Sequence, residues 1–278
     1  MHIAVTGGNG DLGRALTPYL IEQGHQVVSI DRALPPEMHP DLRPMVVDLR
    51  SFGEFVAAIC GCDALIHLAA HRSPMNHPDP VVYTENTTMS YNALSAAATL
   101  GIKRVVLASS INAIGGVFSR MPRYDYFPID EQHPSYTEDP YSLSKWVLEQ
   151  QADAFARRVP TMQIASLRFH WLSTTYQQVV QATPKIGIGG IHHLWAYTLL
   201  SAASRACLLG LTADFTGHEA FYIVGPRTVS ATPSLELAAQ HYPATPIRGD
   251  LRGWRSFFDC TKAERLLGWK HEEPDAHH

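Results

Sequence analysis

The feature that most limits what this chain can become is the run Thr6-Gly7-Gly8-Asn9-Gly10-Asp11-Leu12-Gly13, set between a short apolar stretch and an amphipathic one. His2 to Thr6 reads as a strand, and Leu12, Leu16, Tyr19 and Leu20 mark one face of a helix. Glycines at 7, 10 and 13 permit a tight turn, close backbone approach to a pyrophosphate, and close packing of the helix on the strand. The helix start adds unpaired N–H groups and the positive end of its dipole. Glycines also serve ordinary turns, so the loop gains meaning from its place between strand and helix.

The next apolar run, Gln26 to Ile30, ends in Asp31. A carboxylate there can accept from both ribose hydroxyls of an adenosine, and it sets like charge against a 2′-phosphate. NAD is therefore expected over NADP, with Arg32 as the residue that could offset the repulsion. The plain alternative is a solvated turn aspartate. Asp48 and Leu49 follow a third apolar run and can reach the adenine edge, while Leu68, Ala69 and Ala70 offer small groups along a dinucleotide. Asn9, Asp11 and Leu12 belong to the same cradle.

Further along, short apolar runs alternate with helical patterns. Strands are expected at residues 45–47, 64–68, 103–108 and 162–167, and helices at 51–60, 80–100 and 141–158. Such alternation gives an α/β fold, a doubly wound parallel Rossmann sheet covered on both faces. Residues 1–168 read as the NAD-binding domain and 169–278 as a small C-terminal substrate-binding cap, with some segments returning to the main sheet. Within the cap the expectations are a glycine-rich stretch at 185–190, a helix over 194–209, a strand at 221–224, a loop at 242–254 and a short helix over 261–267.

Composition excludes several classes. Hydrophobic residues make up 45% and charged ones 17% of 278 residues, which argues against disorder. A formal net charge of −4 with no Lys/Arg run argues against a nucleic-acid partner, and no stretch of 18 apolar residues suggests a membrane span. The cysteines at 60, 62, 207 and 260 read as thiols of a reducing compartment, because Cys60-Gly61-Cys62 is one residue short of the CxxC spacing. With no signal-like start, a cytoplasmic protein is expected. No His, Cys, Asp or Glu set has metal-ligand spacing; His192 and His193 would point different ways, and the terminal His277-His278 is assigned no chemistry.

The motifs TGGNGDLG (6–13), HLAA (67–70), ASSINAIG (108–115), YSLSK (141–145) and FFDCTKAERLLGW (257–269) together resemble the extended short-chain dehydrogenase/reductase family, close to its NAD-dependent epimerase/dehydratase group and with some similarity to uronate dehydrogenases. The resemblance implies NAD as cofactor, Tyr141 and Lys145 as the Tyr-xxx-Lys pair, and Ser110, five residues before Gly115, as the catalytic serine, with Ser109 its neighbour.

Chemistry agrees with that assignment. Tyr141 and Lys145 share a helix face, and an adjacent ammonium is expected to favour the phenolate of a group that ordinarily titrates near 10. Tyr141 would act as base towards a substrate hydroxyl, Ser110 would hold the oxygen, and Lys145 would bond the nicotinamide ribose. Taken singly, Tyr141 and Lys145 could be surface helix residues. Asn86 is expected either to brace the loop beneath these residues or to face solvent. Ala108 and Phe169 complete the cofactor set.

For substrate the candidates are His71, Arg72, Ser73, Ile111, Asn112, His170 and Trp171, beside Ser110 and Tyr141. Arg72 suits a carboxylate or phosphate, or is an ordinary loop residue; Trp171 floors a pocket, or is core. The family's nucleotide-sugar enzymes usually carry an asparagine where this chain has Trp171, and related dehydrogenases often have two aspartates where it has YTLLSAASRA (197–206). Uronate dehydrogenases continue Asn-His after the serine, where this chain has Ile111-Asn112. These departures and the short cap favour an NAD-dependent dehydrogenase of a small sugar, sugar acid or polyol. A nucleotide-sugar epimerase or dehydratase is the alternative, and a non-enzymatic NAD sensor a lower one. A small hydroxylated substrate is the expected partner, and a homodimer is left open.

Overall fold

The computed structural model describes residues 1–35, 39–185 and 190–272. At its centre lie β1 (His2–Thr6), β2 (Gln26–Asp31), β3 (Leu42–Val46), β4 (Ala64–His67), β5 (Arg104–Ser110) and β6 (Gln163–Phe169). Two-residue strands β7 (Leu172–Ser173) and β8 (Thr198–Leu199) pair apart from them, and β9 (Gly217–Ile223) returns to the sheet edge. The sheet order is β3-β2-β1-β4-β5-β6-β9, with every pair parallel. Order reverses between β1 and β4, and an open α/β sheet places its ligand outside the carboxyl ends of the strands at such a point.

The central strands are apolar on both faces because both are covered. Ile3, Val5, Ile66, Val106, Ala165 and Leu167 pack with residues of α1 (Asp11–Glu22) and α6 (Leu200–Thr212). Ala4, Leu65, Val105, Leu107 and Ile164 pack with α2 (Phe52–Ile59), α3 (Asp79–Leu100) and α4 (Pro140–Arg158). Each such Leu, Ile or Val contributes about 1.5–3 kcal/mol by leaving water. The fully buried Ala93, Ala96 and Ala97 let α3 lie close to the sheet, and the helix stops at Gly101, whose φ of 71° is left-handed. Pro140 at the start of α4 and the Asp139 carboxylate, accepting from Ser142 N–H at 2.9 Å, fix where that helix begins. Tyr141 therefore sits in the first turn, facing the strand ends.

The short helices α5 (Tyr176–Ala182), α7 (Ser234–His241) and α8 (Thr261–Leu267) lie in the later part of the chain. α8 has the bounds read from sequence, whereas α7 was not anticipated, and β3 begins at Leu42 rather than at 45. The expected helix over 194–209 is corrected: α6 begins only at Leu200. Trp195, Tyr197 and Thr198 spend their backbone groups on distant segments instead, Trp195 O accepting from Val229 N at 2.9 Å, Tyr197 O from Gly225 N at 2.7 Å, and Thr198 N donating to Trp171 O at 3.0 Å. The glycine-rich stretch 185–190 lies for the most part outside the described residues, as does His277-His278.

Among the described residues, no helix is long and apolar enough to cross a membrane, and no group of His, Cys, Asp and Glu side chains could hold a metal ion.

Candidate active site

The glycine loop has the shape a dinucleotide requires. A Cβ on Gly13 would stand 2.3 Å from Gly7 O, and one on Gly7, whose φ is 70°, would stand 2.8 Å from Ala69 N. The first bond closing α1 runs from Arg14 N to Gly10 O at 2.9 Å, so the N–H groups of Asp11, Leu12 and Gly13 have no carbonyl of their own helix to bond. Asp31 is held at the loop's rim, its carboxylate accepting from Asn9 N at 2.9 Å and Arg32 N at 2.6 Å. A carboxylate has further acceptor capacity for two ribose hydroxyls.

Next to the loop, a cavity of about 270 Å³ is lined by Asn9, Asp31, Arg32, Asp48, Leu49, Leu68, Ala69 and Ala70 among others. Arg50 pairs with Asp48 at 2.7 Å and with Glu85 at 2.6 Å, and Glu85 bonds His71 Nε2 at 2.7 Å. The chain's residues thus fit NAD: a cradle without Cβ atoms, free N–H groups and a ribose acceptor.

A second cavity, of about 480 Å³, continues from the loop to the ends of β5 and β6 and is lined by Ala108, Ser110, Ile111, Asn112, Tyr141, Lys145, Phe169, His170 and Trp171 among others. Ser110 Oγ accepts from Asn112 twice, from N–H at 3.1 Å and from the side-chain amide at 3.3 Å. With both lone pairs engaged, the hydroxyl has its hydrogen left to give. Lys145 Nζ donates to Ala108 O at 2.7 Å.

Burial governs charge here. It pushes the Tyr141 phenol above its ordinary range, with the neighbouring Ser110 hydroxyl pulling the other way, and it brings Lys145 down to about 8. Lys145 Nζ lies 5.7 Å from the centre of the Tyr141 ring.

Other candidates fall into place individually. Asn86 is buried, accepts from His71 N at 2.8 Å and donates to His71 O at 3.0 Å and Ser144 Oγ at 3.1 Å, bracing the loop after β4 against α4. Arg72 pairs with Asp11 across the cavity mouth. Ser73 Oγ caps Met75 N and is not among the lining residues of either cavity. His170 spends both ring nitrogens, accepting from Trp171 N at 2.6 Å and donating to His193 O at 2.9 Å, and burial brings it down to about 3.

Sequence reasoning passed over Val117, Phe118, Leu172 and His193, which also line the larger cavity. Phe118 meets the Tyr141 ring edge-on at 5.8 Å. No periodicity marks Val117, Phe118 and His193, which lie in loops, or Leu172, which lies in the two-residue β7.

Comparison with known proteins agrees with the geometry. dTDP-6-deoxy-L-talose 4-dehydrogenase (NAD(+)) of Aggregatibacter actinomycetemcomitans is 29% identical over 177 residues, which is 62% of this chain and 62% of that protein, so the match spans less than two thirds of the relative. Among solved structures, MoeE5 in complex with UDP-glucuronic acid and NAD superposes with a TM-score of 0.75 at 24% identity, covering 98% of this chain and 94% of that one. A mutated uronate dehydrogenase superposes at 0.72 and 21% identity, covering 98% and 82%. At those identities the likeness speaks for the fold. The model of the NAD dependent epimerase/dehydratase family matches residues 3–183, from the first residues of β1 through the glycine cradle, Ser110, Tyr141 and Lys145 to the ends of the strands around them, and by that match the chain belongs to the family, whose cofactor is NAD.

Proposed function

We propose that the protein is an NAD-dependent dehydrogenase that oxidises a hydroxyl of a small sugar, sugar acid or related polyol. The observation that carries this reading is the arrangement of Ser110, Tyr141 and Lys145 at one end of the glycine cradle, with Ser110 made a hydrogen-bond donor by Asn112. When bound, NAD supplies the hydride acceptor and a positively charged ring.

The chain's own residues do the rest. Gly7, Gly10 and Gly13 admit the pyrophosphate, N–H groups of the first turn of α1 hold it, and Asp31 takes the adenosine ribose. Lys145, anchored on Ala108 O, keeps two further N–H donors for the second ribose. Ser110 donates to the substrate oxygen, and Tyr141 takes its proton as the carbon gives up hydride. Ile111, Phe118, Phe169 and Trp171 give the cavity apolar walls against water.

A cavity of about 480 Å³ that must also admit the reactive end of the cofactor suits a single small ring. A nucleotide sugar is the second reading, favoured by the relative whose name specifies a dTDP-linked deoxysugar. A panel of free aldoses, uronic acids and nucleotide sugars with added NAD separates them, following NADH absorbance and product configuration together. Stoichiometric NADH from a small substrate supports the proposal. Turnover of a nucleotide sugar, with NADH released or by inversion or dehydration without it, replaces it with the second reading, and inactivity throughout with tight NAD binding points to a sensor.

A further inference from the structure

The two cavities meet along a seam, where Gly7, Gly10, Leu68, Ala70 and Arg72 line both of them. With the adenosine end of NAD in the smaller cavity and the nicotinamide end in the larger, the pyrophosphate that joins them crosses this seam. Four of these residues are glycine or apolar, so among the described residues Arg72 is the charged group of the seam. Its guanidinium Nη1 donates to the carboxylate of Asp11, the first residue of α1. That turn also carries the unpaired N–H groups that suit a phosphate.

We propose that Arg72 is a cofactor strap: on NAD binding its guanidinium leaves the Asp11 carboxylate and closes over the pyrophosphate, holding it against the first turn of α1. The inference rests on the reading of the glycine loop as the NAD cradle and is independent of which substrate is oxidised. It moves Arg72 from the substrate to the cofactor.

The base of the strap is fixed and its tip is not. The buried Asn86 accepts from His71 N at 2.8 Å and donates to His71 O at 3.0 Å, which ties down the backbone next to Arg72. By contrast the Arg72 side chain is 71% exposed and that of Asp11 60%, and an exposed pair of this kind contributes little to stability. A guanidinium on a phosphate forms two parallel charge-assisted bonds. The pyrophosphate offers two negative charges where Asp11 offers one, which favours the exchange. Because Arg72 already lines both cavities, a change of side-chain rotamer is enough to make it.

The other charged groups around the cavities are committed elsewhere. Asp31 is bonded to Asn9 N and Arg32 N, while Asp48 and Glu85 share Arg50. Lys145 is anchored on Ala108 O, at the far end of the larger cavity. Arg72 is thus the cation placed to answer the pyrophosphate, and Asp11 the carboxylate it gives up.

The test is calorimetric titration with NAD, with ADP-ribose, which keeps the pyrophosphate and lacks the nicotinamide, and with adenosine, which has neither. Arg72→Met should weaken NAD and ADP-ribose alike by about fivefold or more, for loss of hydrogen bonds to a charged group, and leave adenosine within about twofold. Arg72→Lys, which keeps the charge and loses the fork, should fall between Arg72→Met and the unaltered protein. Asp11→Asn, which frees the guanidinium, should tighten NAD by about threefold, the scale of an exposed ion pair, and most of that gain should vanish in the double variant Asp11→Asn, Arg72→Met. Unchanged NAD affinity in Arg72→Met overturns the proposal. So does an equal loss for adenosine, which would make Arg72 a support of the loop, and so does a gain from Asp11→Asn of the same size with and without Arg72, which repulsion between Asp11 and the phosphates would explain. The NAD titration of the unaltered protein reports on the cradle itself, so failure of the strap and failure of the cradle are distinguishable results.

Discussion

Asn112 donates to Ser110 Oγ from both its backbone N–H, at 3.1 Å, and its side-chain amide, at 3.3 Å, and this pair of bonds leaves the serine a donor. The Asn112 side-chain oxygen is meanwhile held by Val117 N at 3.1 Å, so the amide cannot turn away. Asn112→Ala should lower kcat/KM roughly tenfold, the loss of one orienting hydrogen bond. NAD affinity, measured by fluorescence titration, should stay within twofold; an equal loss of NAD binding would mean that Asn112 shapes the cavity as a whole.

Asp31 should set the cofactor preference. NAD should bind more tightly than NADP, and Asp31→Ala should weaken NAD by about 10- to 100-fold, the range for hydrogen bonds to a charged acceptor. Calorimetric titration of both proteins with both cofactors checks this. Tighter NADP binding by the unaltered protein would remove Asp31 from its role and turn attention to Arg32.

Gly13→Ala should damage fold and cofactor binding together, because its Cβ would stand 2.3 Å from Gly7 O and 2.6 Å from Gly8 backbone atoms. Overpacking of this kind costs about 1–3 kcal/mol. A thermal melt should show the variant several degrees less stable, with NAD giving little protection. Gly53→Ala, where the added methyl meets nothing within 4 Å, is the control.

How much of this was legible in the sequence depends on how local the signal is. The glycine cradle, Asp31, Ser110, Tyr141 and Lys145 each sit at a strand end or helix start, where a few neighbouring residues set the geometry. The helical pattern expected from Leu194 onward gives way before Leu200, where Trp195, Tyr197 and Thr198 bond through their backbones to Val229, Gly225 and Trp171, contacts that no local window contains. The same holds for Phe118 and His193, which reach the cavity from loops.

Acid should weaken the protein through its enclosed histidines. Burial holds His67 and His170 at about 3 and His193 at about 4, against an ordinary value of 6.5. Between those values the unfolded chain binds more protons than the folded one, so their stabilisation is complete above pH 6.5 and is lost as pH falls towards 3. Urea midpoints should fall steadily from pH 7 to pH 5, and His170→Gln should flatten the dependence. An undiminished slope in that variant would exclude His170 as a contributor.

The central claim, that Tyr141 moves the substrate proton at a site where NAD binds, is tested most directly by Tyr141→Phe, which removes the phenolic oxygen and keeps the ring against Phe118. The measurement is NADH formation with the best substrate from the panel, alongside NAD affinity for the same two proteins. The predicted result is a rate at least about 100-fold lower, the usual contribution of a positioned acid–base group, with NAD affinity preserved. A folded Phe variant that binds NAD and turns over at the rate of the unaltered protein would contradict the account.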